Sequence, residues 1–249
     1  MESYKSFAEV YDLFMDNVPY DDWAKNISRI LKEHGIADGL VCELGCGTGQ
    51  MTRRLQSMGY DMIGIDNSIE MLDMARMQEG DTGILYLCQD MREFELYGTV
   101  RAVISVCDSM NYITGEEDLL QVFRLANNYL DPGGIFLFDL NTTFKYAQLL
   151  GDGVFAENRD EGSFIWENEY DAEEHLNYYD LTLYIREGEG YQRYEEEHVQ
   201  MAYELDRVKV LIEESGLEFL GVLDAETMAE PREDSERVYI IAREQTKTL

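Results

Sequence analysis

Proline is scarce in this chain, at 3 residues in 249, and cysteine is held to 4. No stretch repeats, and the apolar residues, 45% of the total, are spread along the whole length, which excludes fibrous and disordered chains. Cys42, Cys46, Cys88 and Cys107 form no C-x-x-C pair. Each lies in or beside an expected buried strand, so all four read as free thiols packed as small apolar groups and not as metal or redox ligands. Basic residues are few, 20 against 51 acidic ones, for a formal charge of −31. Such a field repels phosphate backbones, so no general nucleic acid binding is expected of this acidic protein. The surplus reads mainly as solvated surface, with attraction of a cationic substrate as the lesser reading. MESYKSF lacks the basic start and apolar stretch of a signal peptide, and no later run is long enough to cross a bilayer. A cytoplasmic protein with no membrane partner is the expectation.

What is present alternates. After a helical-looking opening, SFAEVYDLFMDN, a second helix is expected from near Tyr20 through Trp23, Ile27, Ile30 and Leu31, closed by Gly35. Short apolar runs then alternate with amphipathic ones: strand LVCEL, helix MTRRLQSM, strand DMIGID, helix SIEMLDMARM, strands ILYLC and AVISVC, helix EDLLQVFRLANNYL, strand IFLFDL. This order argues for a parallel sheet covered by helices. Asp131-Pro132-Gly133-Gly134 should stop the last helix and allow a tight reversal into the strand. From Thr142 the period drops to two, in SFIWENEYD, NYYDLTLYIRE and YQRYEEEHVQM, and then helix DRVKVLIEES and strands LEFLGVL and RVYIIA resume the earlier pattern. The reading is therefore one domain over 1–249, with a core of 1–141 and 201–249 and an inserted antiparallel cap over 142–200.

VCELGCGTG places Gly45, Gly47 and Gly49 directly after a buried strand and ahead of a helix, so that a ligand can approach the backbone closely. A dinucleotide turn wants its third glycine one place later, where this chain has Gln50, which weakens a nicotinamide or flavin reading. Glu43 has no natural task beside a pyrophosphate, but it suits the ammonium of an amino acid moiety, directly or through water. Asp66 ends the second strand where an acid reaches a ribose diol, although Asp66-Asn67-Ser68 would also cap the next helix. After the third strand, Asp90 can accept from an adenine amino group while Met91 packs on the ring. These residues all fall at the carboxyl ends of successive strands, the edge where open α/β sheets bind ligands.

At these positions the chain resembles the class I S-adenosylmethionine (SAM)-dependent methyltransferases, whose motif E/D-x-G-x-G-x-G appears as Glu43-Leu44-Gly45-Cys46-Gly47-Thr48-Gly49. The resemblance is close over 40–141, taking in Asp66, Asp90-Met91, VISVCDSMNYI and Pro132-Gly133-Gly134, and extends over 204–243 as topology. It implies a Rossmann-like, seven-stranded, mostly parallel sheet with helices on both faces and an antiparallel β insertion after strand five. It also implies SAM as cofactor, held by Tyr11, Trp23, Glu43, Gly45, Cys46, Gly47, Gly49, Asp66, Asn67, Asp90, Met91 and Cys107. The opening FAEVYD and the insertion look like the small-molecule branch that includes nucleotide-sugar N-methyltransferases. The Asn/Asp-Pro-Pro-Tyr/Phe motif of enzymes that methylate amines of nucleic acids is missing; Cys107-Asp108-Ser109-Met110-Asn111-Tyr112 stands there instead.

The expected activity is methyl transfer to an N or O atom of a small-molecule acceptor by in-line displacement. A protein base is needed only where the acceptor arrives protonated. His198, Tyr112 and Asn111 are the catalytic candidates, with Asp108 beside them and no metal. The plainer reading of His198 is a solvated strand histidine paired with neighbouring glutamates. Trp166, Tyr170, Tyr179 and Tyr184 likewise suit sheet packing as well as the walls of a substrate cage. A nicotinamide-dependent oxidoreductase, and a non-catalytic SAM-binding scaffold whose insertion makes a homodimer, are the competing readings.

Overall fold

The computed structural model describes residues 14–15, 18–79 and 83–247. The expected opening helix, and Tyr11 with it, falls almost wholly outside the described residues. Helix α1 (Tyr20–Glu33) begins after Pro19 with Asp21 and Asp22 in its first turn, where carboxylates favour the helix N-terminus. Its buried residues Ala24, Ile27, Ile30 and Leu31 recur at helical spacing and form one stripe. Each larger one stabilises the fold by about 1.5–3 kcal/mol. The helix gives way at His34, and Gly35 follows in the left-handed conformation that glycine tolerates best.

The core then runs β1 (Gly39–Leu44), α2 (Gln50–Ser57), β2 (Tyr60–Asp66), α3 (Ile69–Glu79), β3 (Leu85–Cys88), β4 (Val100–Ser105), α4 (Glu116–Tyr129) and β5 (Leu130–Asn141). Beyond an insertion it closes with α5 (Leu205–Glu214), β10 (Leu217–Asp224) and β11 (Arg237–Glu244). The seven strands form one sheet in the order β10-β11-β5-β4-β1-β2-β3. Pairings from β3 to β5 are parallel, whereas β11 runs antiparallel to both β5 and β10. Alternation along the central strands divides the core in two. Val103, Phe136 and Phe138 pack on one side with Phe123 of α4, and Ala102, Ile104, Ile135 and Leu137 pack on the other with the α1 stripe. Strands buried on both faces read as continuous apolar runs, as IFLFDL does.

The insertion is a second, antiparallel sheet: β6 (Val154–Asn158), β7 (Gly162–Asp171), β8 (Leu176–Glu187) and β9 (Gly190–Met201), paired in that order. Three of these strands follow the period-2 patterns. The fourth, β6, alternates exposed and half-buried residues over only five positions, too short and polar to stand out as a pattern. Before it, Lys145–Leu150 forms one turn of π-helix, a rare conformation that recurs at functional sites.

Two expectations need correction. Asp131-Pro132-Gly133-Gly134 does not end a helix, since α4 has already stopped at Tyr129. Leu130 pairs with Val100 and Ile135 with Ala102, so the four residues bulge out within β5 and Gly133 takes the positive φ this requires. Cys42 and Cys46 are buried and Cys107 partly so, but Cys88 is exposed, because β3 is the edge strand and its end is covered on one side only. No helix among the described residues is long and apolar enough to cross a membrane.

Candidate active site

The three glycines after β1 serve different ends. Gly45 and Cys46 donate their N–H groups to Ile65 O at 2.8 and 2.9 Å, folding the turn back over β2. A Cβ on Gly45 would collide with the Ser109 side chain at 2.6 Å, and one on Gly49 with the Tyr86 hydroxyl. Both therefore answer to internal packing, and Gly49, expected to touch the cofactor, does not line the cavity described below. At Gly47 nothing lies within 4 Å of the position a Cβ would take, yet φ is +52°. Its backbone faces open cavity, the cradle that a ligand pressed against the main chain requires.

Glu43 is buried at the head of this turn and accepts from Thr52 Oγ1 at 2.5 Å. Loss of water pushes its carboxyl up to about 8. Asp66, at the tip of β2, does two structural jobs: Oδ2 accepts from Gly47 N at 2.8 Å and Oδ1 from Ser68 N at 2.9 Å. Ser68 Oγ in turn accepts from Met71 N at 3.2 Å, so the capping reading of this segment holds while Asp66 still lines the cavity. Burial raises the Asp66 carboxyl above its ordinary range. Asp90 is occupied by Arg92, whose Nε lies 3.0 and 3.1 Å from its two oxygens, and that cation holds Asp90 below the ordinary range. Arg92 also reaches Asp118 Oδ2 at 3.4 Å.

At the end of β4 the chain strains. Cys107 and Asp108 both take positive φ, 59° and 53°, and their N–H groups donate to the buried carboxylate of Asp139 at 3.1 and 2.8 Å. Arg237 grips the same cluster with a fork, Nη1 to Asp139 Oδ2 at 2.7 Å and Nη2 to Asp108 Oδ1 at 2.6 Å. Gln200 of β9 donates to Asp108 Oδ2 at 2.7 Å, which ties the inserted sheet to the loop. Asp139, Gln200 and Arg237 carried no expectation, since 98 residues separate Arg237 from Asp139 and only the fold joins them. Trp23, expected at the cofactor, is absent from the cavity wall. Its ring lies under Arg237, 4.9 Å from the guanidinium carbon, and so supports the cluster from behind.

The catalytic candidates separate. Asn111 is fully buried, its Nδ2 donating to Met201 O at 2.8 Å and Asn141 O at 3.3 Å, and its Oδ1 accepting from Asn141 N at 3.0 Å. It joins β5 to β9 and does not line the cavity, which removes it as a catalytic group. Tyr112 and His198 do meet: Tyr112 Oη lies 3.1 Å from His198 Nδ1 and 2.5 Å from Tyr179 Oη, and the Tyr179 and His198 rings stack at 4.5 Å. The reading of His198 as a solvated histidine among glutamates therefore fails. Its Nε2 is buried with no partner among the described residues, and burial lowers the ring below its ordinary pKa, favouring the neutral base. Trp166 stands 5.1 Å from Tyr179 and lines the cavity with it, whereas Tyr170 stacks on Tyr146.

One cavity of about 670 Å³ joins these parts. Its floor is the sheet edge with Glu43, Gly47, Asp66, Asn67, Asp90 and Met91, and its far wall is the aromatic face of β7, β8 and β9. That volume suits a cofactor-sized ligand with room beside it. Among the described residues no cluster of three or more His, Cys, Asp or Glu is arranged to hold a metal ion.

The fold and the glycine turn define an α/β protein that binds a nucleoside-type ligand across the tips of its parallel strands. The family model described as "Methyltransferase domain" matches residues 41–134. "Putative methyltransferase YqeM" of Bacillus subtilis is 35% identical over 248 residues, covering 99% of this chain and 98% of that protein. A crystal structure of a SAM-dependent methyltransferase from Clostridium acetobutylicum superposes with a TM-score of 0.87 at 29% identity, covering 96% of this chain and 98% of that one. A more distant relative is the dTDP-3-amino-3,4,6-trideoxy-α-D-glucopyranose N,N-dimethyltransferase of Streptomyces venezuelae, 28% identical over 134 residues, 53% of this chain and 56% of that enzyme. This chain belongs to the SAM-dependent methyltransferases, and its cofactor is SAM.

Proposed function

We propose that the protein methylates an N or O atom of a small molecule, held between the sheet edge and an inserted cap formed by 142–200. The observation that carries this reading is the continuity of the cavity: residues of the glycine turn and the side chain of His198, whose Nε2 has no partner among the described residues, line the same space. SAM, when bound, supplies an electrophilic methyl group on a sulfonium that is already a good leaving group. The residues present fit it: Gly47 leaves its backbone open, Asp66 has the place and charge to hold ribose hydroxyls, Glu43 an ammonium, and Asp90 with Met91 an adenine.

The work left to the protein is to position the acceptor and exclude water. Leu181, Leu183, Trp166 and Tyr179 of the cap close the cavity with apolar and aromatic surface. Tyr112 and Tyr179 fix the ring of His198, so that Nε2 takes the proton that an alcohol or ammonium acceptor must lose. The amino-sugar dimethyltransferase relative supports a small amine as acceptor. Histidine and tryptophan variants test the division of labour. His198→Ala and Trp166→Ala should bind S-adenosylhomocysteine within about twofold of the parent, while His198→Ala loses on the order of 10²-fold in transfer from methyl-labelled SAM. Full transfer by His198→Ala would remove His198 from the reaction, and loss of S-adenosylhomocysteine binding by both variants would place the cofactor elsewhere.

A further inference from the structure

Among the described residues six carboxylates line the cavity, and each already has a protein partner. Glu43 accepts from Thr52, Asp66 from two backbone N–H groups, Asp90 and Asp118 pair with Arg92, Asp108 pairs with Arg237, and Glu157 pairs with Arg159. Among the described residues the cavity wall carries two cations, Arg92 and Lys145. Arg92 is spent on its two aspartates. Lys145 is not: its Nζ donates to the neutral carboxamide Oδ1 of Asn141 at 3.0 Å and forms no ion pair among the described residues. In a chain of net charge −31, a lysine that lines a cavity and makes no ion pair among the described residues is the exception that a function must explain.

The geometry points to Lys145 as the seat of an anionic group on the methyl acceptor, a carboxylate or a phosphate, held at the cap end of the cavity. The inference rests on the reading of this cavity as an acceptor site. Lys145 is presented by the π-helical turn that leads out of β5, and the turn is held at both ends. Lys145 N donates to Thr142 Oγ1 at 3.2 Å, Gly151 N to Tyr146 O at 2.8 Å, and Asn168 of the cap to Gly151 O at 2.6 Å. Asn141, which orients the ammonium, is itself fixed by Asn111. The candidate that proved structural therefore acts as a positioning residue for the lysine two bonds away. Burial and then Arg237 hold Lys145 below the usual lysine range, against the opposing pull of Asp108, Glu236 and Asp139, so an arriving anion would offset the cost that burial imposes on the cation. The aromatic wall supplies the other half of the recognition, a flat apolar body with a charge at one edge.

The chain has two tryptophans, and only Trp166 lines the cavity. In a Trp23→Phe background, Trp166 fluorescence reports occupancy by benzoate, phenyl phosphate and the neutral isostere benzamide, each titrated with and without S-adenosylhomocysteine. At least one anion should bind about tenfold or more tightly than benzamide, and the tighter of the two identifies carboxylate or phosphate as the group. Lys145→Met should abolish that preference and Lys145→Arg should keep it, with S-adenosylhomocysteine affinity by calorimetry unchanged in both. Equal binding of benzoate, phenyl phosphate and benzamide, a preference that survives Lys145→Met, or no binding of any probe would overturn the assignment. Failure of S-adenosylhomocysteine to bind the parent would instead overturn the cofactor reading, and the probe titrations made without it still decide for or against Lys145.

Discussion

Cofactor binding should move a proton, and in a direction that reverses with pH. Glu43 is buried, and its carboxyl is pushed up to about 8. At pH 7 the cofactor-free site is therefore about nine-tenths protonated. The α-amino group of SAM or S-adenosylhomocysteine has an ordinary pKa of about 7.7–8.0 and is also mostly protonated at pH 7. If Glu43 receives that ammonium as an ion pair, the complex keeps one proton where the separated partners hold nearly two. About 0.8 proton should then leave per cofactor bound at pH 7. At pH 9 both partners are mostly deprotonated, and about 0.8 proton should be taken up, with the crossover near pH 8. The assay is calorimetric titration of S-adenosylhomocysteine in buffers of differing ionisation enthalpy. Glu43→Gln should bind roughly tenfold to a hundredfold more weakly and lose the release at pH 7. Wild-type binding with no proton exchange at pH 7, or the same release from Glu43→Gln, would refute the pairing. The same shift acts on stability: the folded, cofactor-free protein retains a proton that the unfolded chain releases. Glu43 therefore costs stability progressively as pH rises from its ordinary range through about 8.

Three further outcomes follow from the same geometry. Asp66→Ala should lower S-adenosylhomocysteine affinity tenfold or more through the ribose contact, and should lower stability by about 1–3 kcal/mol because Gly47 and Ser68 lose their acceptor; calorimetry and thermal unfolding read the two separately, and unchanged affinity in the folded variant removes the ribose assignment. Gly47→Val should block the cofactor, because the side chain would enter open cavity, and should also lower stability, because a β-branched residue is strained at this positive φ; normal binding by the folded variant would make the turn purely structural. Transfer should rise with pH through a value below the ordinary histidine pKa of 6.5 and then level, since burial disfavours the protonated, inactive His198; a rise centred above 6.5 contradicts this assignment of the base.

The core was legible because burial on both faces writes strands as apolar runs and α1 as a stripe at helical spacing, and because the acids and glycines of the site lie within a few residues of their strand ends. What escaped was set by long-range contact. Nothing around Arg237 announces that its guanidinium will bridge Asp108 and Asp139, or that Trp23 will lie beneath it. Asn111 and Tyr112 are adjacent in sequence, yet the turn of 3₁₀-helix over Ser109–Tyr112 sends one into the protein and the other toward His198. Gly49 belonged to the motif by spacing, but Tyr86, 37 positions on, dictates its lack of a side chain. Lys145 gave no signal at all, because a single lysine after a strand is ordinary until the partners around it have been counted.

The fate of the methyl group tests the central claim most directly. Purified protein, methyl-labelled SAM and a metabolite extract should yield label in a filterable, low-mass product, together with S-adenosylhomocysteine in equal amount, and a mass spectrum of that product would place the methyl on N or O. Label confined to macromolecules, or no turnover in any small-molecule fraction while S-adenosylhomocysteine still binds, would contradict a small-molecule acceptor beneath the β-sheet cap.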